Sequence, residues 1–335
     1  MIRELGILAI ACAACKRPEP IVFYPHSQEP VATTEPTTTA EAQPPPPPHV
    51  EQTPGRVELA IGITPISMLV RGPELVITDA TGAVYVLPAD GSSQKPKKLS
   101  DQHGVGFAYH AFEAGGEILA TAHQGLFRIA VPDGPVTKLA VHGLPESPES
   151  AIGDDQYAYV SIFRHDDVMR VPAHGGDATR IASLKNSVLG TNGKTIFAAS
   201  YTTGELFALG QPKPIAKGLA RPTAVTADAT AAYLYCEGDE TVRRVELATG
   251  AITTLAEHLV NSKELHLDGG WIYTRAWGEH GDKLVRIAKD GKRPMQVLAD
   301  DLAEPQAIVV TPDAVFVGNK GRKTIVRFDK SRLGE

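Results

Sequence analysis

Residues 271–288 read WIYTRAWGEHGDKLVRIA: two short runs, WIYTR and LVRIA, joined by a polar stretch holding Gly278 and Gly281. Runs of five residues rich in aromatic and β-branched side chains mark strands, and a glycine-bearing polar connection between two of them marks a hairpin. The pair recurs. Its second run appears as VYVLP at 84, LFRIA at 126, VMRVP at 168, LFALG at 206, VRRVE at 242, LVRIA at 284 and IVRFD at 325, so successive spacings are 42, 42, 38, 36, 42 and 41. Its first run appears as LVIT, ILATA, YAYVS, IFAAS, AYLYC, WIYTR and VFVG, starting at Leu75, Ile118, Tyr157, Ile196, Ala232, Trp271 and Val315.

A period near 40 residues with four strands per unit is the pattern of a β-propeller. Between hairpins lie an outer strand such as AITTLA and an inner one such as PTAVTAD or PQAIVVT, which completes the four. The last unit stops at Phe328, while RVELAIGITPISMLV at 56–70 supplies two strands with no hairpin before them. The two ends are expected to complete one another. The fold is therefore all-β, a seven-bladed β-propeller closed by pairing of N- and C-terminal strands, with six blades as the alternative count.

Composition agrees with many short strands: aromatics are 6% of the 335 residues, with 31 Gly and 26 Pro. A net charge of -6 gives no basic footprint, which excludes general nucleic-acid binding and attraction to an anionic membrane surface.

The first residues, MIRELGILAIACAACKRPEP, carry Arg3, an apolar stretch from Leu5 to Ala14 and then a polar, proline-bearing segment. That is the anatomy of an export signal, and its apolar part falls short of the roughly 20 residues a membrane-spanning helix needs. Small residues stand directly before both Cys12 and Cys15, so the segment resembles the lipobox of bacterial lipoproteins, a resemblance that implies a lipid on one of these thiols. Cys12 has the better residue three positions before it, whereas Cys15 leaves a leader of more usual length. The organisation expected is a lipoprotein-type signal over 1–15, a disordered Pro/Thr-rich linker over 16–55 and the propeller over 56–335. Eleven prolines fall between Pro18 and Pro54 in the linker. In the polyproline conformation, at roughly 3.1 Å per residue, it would reach up to about 100 Å from its anchor. Cys236 is the only other cysteine and reads as a small packed hydrophobe.

The units YAYVSIFRHDDVMRVPAHGGDATRIASL, at 157–184, and WIYTRAWGEHGDKLVRIAKDGKRPMQVLADDLAEPQAIVV, at 271–310, resemble the superfamily of YWTD-type, NHL and gluconolactonase-like propellers, and the likeness covers about residues 56–330. No unit contains Tyr-Trp-Thr-Asp or ends in Trp-Asp. The resemblance implies the fold and a bacterial surface-lipoprotein setting, not a ligand, because this fold hosts lactonases, lyases and pure binding modules alike.

No H-E-x-x-H, G-x-S-x-G or EF-hand pattern occurs, and LGTNGKT at 189–195 lacks the first glycine of a phosphate loop. A propeller gathers its site from different blades, at the mouth of the channel where the inner strands begin. Aligning these strands on Met68, Phe112, Ile152, Val188, Val225, Leu265 and Ile308 gives a preceding row of Ser67, Ala111, Ala151, Ser187, Ala224, Glu264 and Ala307. Glu264 is the one charge among small residues, and a charge there must be solvated by the channel or paired. The next row out, Ile66, His110, Ser150, Asn186, Thr223, Lys263 and Gln306, is polar at six of seven positions. Glu264, Lys263, His110, Asn186 and Gln306 are the channel candidates, with a structural ion pair of Glu264 to Lys263 or to a neighbouring blade as the competing reading.

The hairpin turns on the same face add Asp79, His123, Tyr201, Glu237 and Lys320. Among them Arg164, His165, Trp277 and His280 form a cluster richer in contact-prone types than solvation requires. His123, His165 and His280 have the ligand type for a metal but read as isolated surface histidines.

The expected function is a lipid-anchored envelope propeller acting as a non-catalytic binding or scaffold module for an envelope protein, peptide or glycan. It needs no cofactor or metal, binds no nucleic acid and touches the membrane only through its N-terminal lipid. The alternative is a metal-dependent lactonase-like hydrolase with Glu264, Asn186 and Asn261 as oxygen ligands at the channel mouth. The acidic residue that the resemblance expects near the start of the domain is not evident; Glu58 is the nearest, on an outer strand.

Overall fold

The computed structural model describes residues 55–59, 61–100, 108–162, 166–277 and 282–333. The expected leader, Cys12 and Cys15, and the linker up to residue 54 lie outside them. The described residues form seven antiparallel blades in a ring, and helix is confined among them to the 3-10 turns Lys320–Arg322 and Lys330–Arg332. No described helix is long and apolar enough to cross a membrane.

From the axis outward, blade 1 is Pro65–Arg71, Glu74–Asp79, Val84–Pro88 and Lys97–Ser100; blade 2 is Ala108–Ala114, Glu117–Ala122, Gly125–Ile129 and Val136–Lys138. Blade 3 is Pro148–Gly153, Tyr157–Ile162, Asp167–Pro172 and Thr179–Ser183; blade 4 is Ser187–Thr191, Ile196–Ser200 and Leu206–Ala208. Blade 5 is Pro222–Ala227, Ala231–Cys236, Thr241–Glu246 and Ile252–Ala256; blade 6 is His266–Asp268, Trp271–Ala276, Asp282–Ala288 and Gln296–Leu302. Blade 7 takes Pro305–Val310, Ala314–Asn319 and Thr324–Asp329 from the C-terminal end and Arg56–Leu59 from the N-terminal end.

The ends therefore meet as expected, but in a ratio of three strands to one. Only RVEL joins the closing blade, pairing Arg56 with Phe328 and Leu59 with Ile325. The second strand of the 56–70 segment is instead the innermost strand of blade 1. Leu59 and Met68 are both buried, and between them the chain leaves the extended conformation at Gly62, whose φ is 70°. Blade 4 also departs from four strands. Its outer edge is reduced to an isolated bridge between Leu206 and Ala216, because Pro212 and Pro214 bring no N–H to a ladder.

The core is divided among the blade interfaces. Seven clusters of buried apolar residues occur, one between each adjacent pair of blades, including one that joins Leu59 and Phe316 of blade 7 to Met68 and Ile77 of blade 1. Fully burying one such Leu, Ile or Phe stabilises by roughly 1.5–3 kcal/mol. The middle strands of blades 5 and 6, Ala231–Cys236 and Trp271–Ala276, are buried at every position, which explains why they read as near-continuous apolar runs. Cys236 is one of those packed residues, as its composition suggested.

Paired charges tie blade to blade near the outer turns. Lys289 of blade 6 reaches Asp228 of blade 5 at 2.9 Å, and Lys330 of blade 7 reaches Asp268 of blade 6 at 2.5 Å. Arg56 bonds Asp301 at 2.5 Å and lies over the Phe328 ring, which fastens the closing strand.

Candidate functional site

The inner strands of all seven blades wall a central cavity of about 800 Å³. His110, Asn186, Lys263, Glu264 and Gln306, widely spaced in sequence, all line it. Trp277 stands apart from the wall, 39% exposed, bridging its backbone to Val260 on the adjoining loop. Arg164, His165 and His280 lie outside the described residues. His123 is an exposed surface histidine bonded to Ser147.

Two inner strands sit one residue away from the alignment made on sequence. A bulge at the strand start leaves one residue unpaired in blades 1, 2, 3, 5 and 7, after which Ser67 pairs with Thr78, His110 with Thr121, Ser150 with Ser161, Ala224 with Tyr235 and Ala307 with Gly318. His110 and Ser150 thus belong to the inner row of Ser67, Ala224 and Ala307. The bulge is common to all five blades; the offset arises because the residues equivalent to Met68 are Ala111 and Ala151, whereas the apolar anchors chosen in sequence, Phe112 and Ile152, lie one position later.

That row has a structural task. Ser67 Oγ accepts the N–H of Ala111 in the next blade at 3.0 Å, and Ser150 Oγ accepts that of Leu189 at 3.0 Å. Glu264 does the same with its Oε2, accepting the N–H of Ile308 at 2.8 Å. The neighbouring-blade partner anticipated for Glu264 is thus a backbone amide, while Lys263, though adjacent, forms no ion pair with it.

The carboxylate is held rigidly. Thr274 Oγ1 donates to the Glu264 carbonyl at 2.6 Å and meets the buried Ser262 hydroxyl at 2.5 Å. His266 Nε2 stands 3.8 Å from Glu264 Oε2. Burial works against the Glu264 charge, but the His266 ring, the Arg275 guanidinium and His110 outweigh it and hold the carboxyl below its usual value. Burial likewise lowers the His110 pKa below its ordinary 6.5, against the attraction of Glu264 and helped by repulsion from His266. The two shifts favour the uncharged form of His110 and the charged form of Glu264.

Two wall residues were not singled out from sequence. His266 opens the inner strand His266–Asp268 two positions after Glu264, a spacing of two that was available as a signal. Arg275 is a charge inside the otherwise apolar WIYTRA strand, 4% exposed, and its Nη1 donates to the Asn261 carbonyl at 3.3 Å.

The three oxygen ligands considered for a hard cation each have a protein neighbour. The Asn186 amide donates to Thr202 at 3.4 Å, the Asn261 carbonyl is taken by a cation, and Glu264 is ringed by His266, Arg275 and His110. Among the described residues no three His, Cys, Asp or Glu side chains converge as metal ligands.

These features define the chain as a seven-bladed propeller with an axial cavity of mixed apolar and polar lining. No family model and no curated protein matches the sequence. Among solved structures, virginiamycin B lyase from Staphylococcus aureus is similar over 82% of this chain and 98% of its own, with 15% identity and a TM-score of 0.62. An auxiliary nutrient binding protein from Bacteroides thetaiotaomicron is similar over 80% of this chain and 69% of its own, with 10% identity and a TM-score of 0.52. The extracellular domain of a one component system from the same organism is similar over 79% of this chain and 40% of its own, with 9% identity and a TM-score of 0.62. Likeness at these identities establishes the fold.

Proposed function

We propose that this chain is a non-catalytic binding module of the bacterial cell envelope, a lipid-anchored propeller that takes a peptide or glycan into its axial cavity. One observation carries the reading: all seven blades contribute to a single pocket of about 800 Å³ that mixes apolar wall with hydroxyl, amide, imidazole and charged groups, the composition expected of a ligand site. Export and the anchor rest on the leader, with Cys12 or Cys15 as the acylated thiol. The names of two similar structures, a nutrient binding protein and an extracellular domain, accord with that setting. Fatty-acid labelling of cells tests the anchor, since replacing both cysteines should abolish the label.

Peptide and glycan arrays test the pocket. Gln306→Trp should obstruct the channel and abolish capture, while Trp277→Ala, away from the cavity wall, should leave capture and fold intact. Full capture by Gln306→Trp would move the ligand to the outer face and defeat the channel reading.

A second reading has its own observation. Glu264 and His266, 3.8 Å apart beside His110, form a carboxylate and imidazole couple able to take up and return a proton, and one similar structure is a lyase. Turnover of a lactone or cyclic ester panel that disappears in both Glu264→Gln and His266→Gln would favour this enzyme over the binding module.

A further inference from the structure

Two arginines are buried to the same degree, 4% exposed each, and they are satisfied very differently. Arg286 donates from Nε to Gln296 at 2.6 Å and from Nη2 to the Leu333 carbonyl at 3.1 Å, with its guanidinium 4.2 Å above the Trp271 ring. Arg275 has one hydrogen bond from its side chain, the 3.3 Å contact with the Asn261 carbonyl. Its Nε is buried without a partner among the described residues, and the carboxylates whose charge it feels, Glu264 and Asp282, form no salt bridge with it. A buried cation left in this state is unfavourable unless something completes it.

The surrounding wall is biased in the same sense. Lys263 lines the cavity without an ion pair, and the hydroxyls of Ser187, 7% exposed, and Thr223 are buried without a protein partner. The principal acceptor is already engaged, since Glu264 takes the Ile308 amide and faces His266. What the wall leaves unmet is donor capacity.

We propose that the ligand carries a carboxylate and that Arg275, with Lys263 nearer the mouth, is its anchor. The inference rests on the cavity being the binding site. Glu149 and Glu237 also line the cavity, so the ligand is anionic at one end and neutral or cationic elsewhere. A short peptide with a free C-terminus has that chemistry. Guanidinium is suited to it because its fork matches the two carboxylate oxygens.

The experiment uses the purified full-length chain and a library of fluorescent tetrapeptides made both as free acids and as C-terminal amides. Free acids are expected to bind about tenfold or more tightly than their amides, since a hydrogen-bonded charge is being removed. At a hundred times Kd they should raise Tm by about 5 °C. Arg275→Met should lose the preference for acids, and Arg275→Lys should keep part of it. Without peptide, Arg275→Met should melt at or above the wild-type temperature, because it removes a buried charge without an ion-pair partner. A fall of more than about 5 °C would mark Arg275 as structural and overturn the proposal. Equal binding of acids and amides, blocked by Gln306→Trp, would overturn the carboxylate while leaving the channel reading intact; saturable binding by neither series would overturn both.

Discussion

The carboxylate of Glu264 on blade 6 accepts the backbone N–H of Ile308 on blade 7 at 2.8 Å, across the same seam that Ser67 and Ser150 bridge elsewhere in the ring. One side chain thus serves the ring with one oxygen and faces the cavity with its charge. Glu264→Gln keeps an acceptor for Ile308 and should cost under about 1 kcal/mol, whereas Glu264→Ala leaves that amide unpaired and should cost about 1–3 kcal/mol. Urea denaturation measures both. Equal losses would mean that the bond to Ile308 contributes nothing.

Acid sensitivity should arrive in two steps. Burial depresses the His110 pKa in the folded protein below its ordinary 6.5, so the unfolded chain takes up that proton first. Its contribution is complete above 6.5 and is lost as pH falls toward the folded value. Asp228 behaves alike at lower pH: burial opposes its charge, but Lys289 and the Thr230 and Ala231 amides hold its folded pKa well below the ordinary 3.8. Its contribution is present above 3.8 and is lost as pH falls through the folded value. His110→Gln should flatten the upper step of a stability against pH curve and Lys289→Met the lower one. Unchanged curves for both variants would contradict these assignments.

Ring closure depends on four residues. A chain beginning at Gly62 lacks Arg56–Leu59, exposes the edge of Thr324–Asp329 and uncovers buried Ile325 and Phe328, so it should aggregate or melt well below a chain beginning at Gly55. Within the intact protein, Arg56→Ala should cost about 1 kcal/mol, because it leaves Asp301 only its weaker pairing with Arg322 at 3.8 Å and removes the cover over Phe328. Differential scanning calorimetry decides whether the two truncations melt apart.

The inner strands pack too tightly for a side chain at two positions. A Cβ on Gly190 of blade 4 would meet the Val225 carbonyl oxygen of blade 5 at 2.3 Å, and one on Gly153 of blade 3 would meet the Glu113 carbonyl oxygen of blade 2 at 2.1 Å. Backbone cannot yield there without spreading the blades. Gly190→Ala should therefore destabilise by about 1–3 kcal/mol, while Gly193→Ala, which meets nothing but adopts a φ of 84°, should show only the smaller penalty of a strained turn. Chemical denaturation midpoints compare the two, and equal shifts would remove the packing argument.

The sequence by itself determined the architecture. Seven hairpins at nearly constant spacing specify repeating units, and units that cannot bury their faces alone must stack, so the ring and the meeting of its ends were legible from WIYTR, LVRIA and their counterparts. It also marked Glu264, since a lone charge in a row of small residues stands out without coordinates. The three-to-one division of the closing blade was not legible, because RVEL and PISMLV are equally good strands and their pattern does not say that they join different sheets. Nor was the true neighbour row of His110, because the position equivalent to Met68 is the small Ala111 and the larger Phe112 beside it gives the stronger apolar signal. Arg275 was visible as a charge in a buried strand, but whether it was paired like Arg286 or left open to the cavity depends on which backbone and ring atoms arrive from distant residues. Hydrophobic periodicity is local and survives in the sequence; the pairing of polar groups across blades is set by angles and registers that only the closed ring fixes.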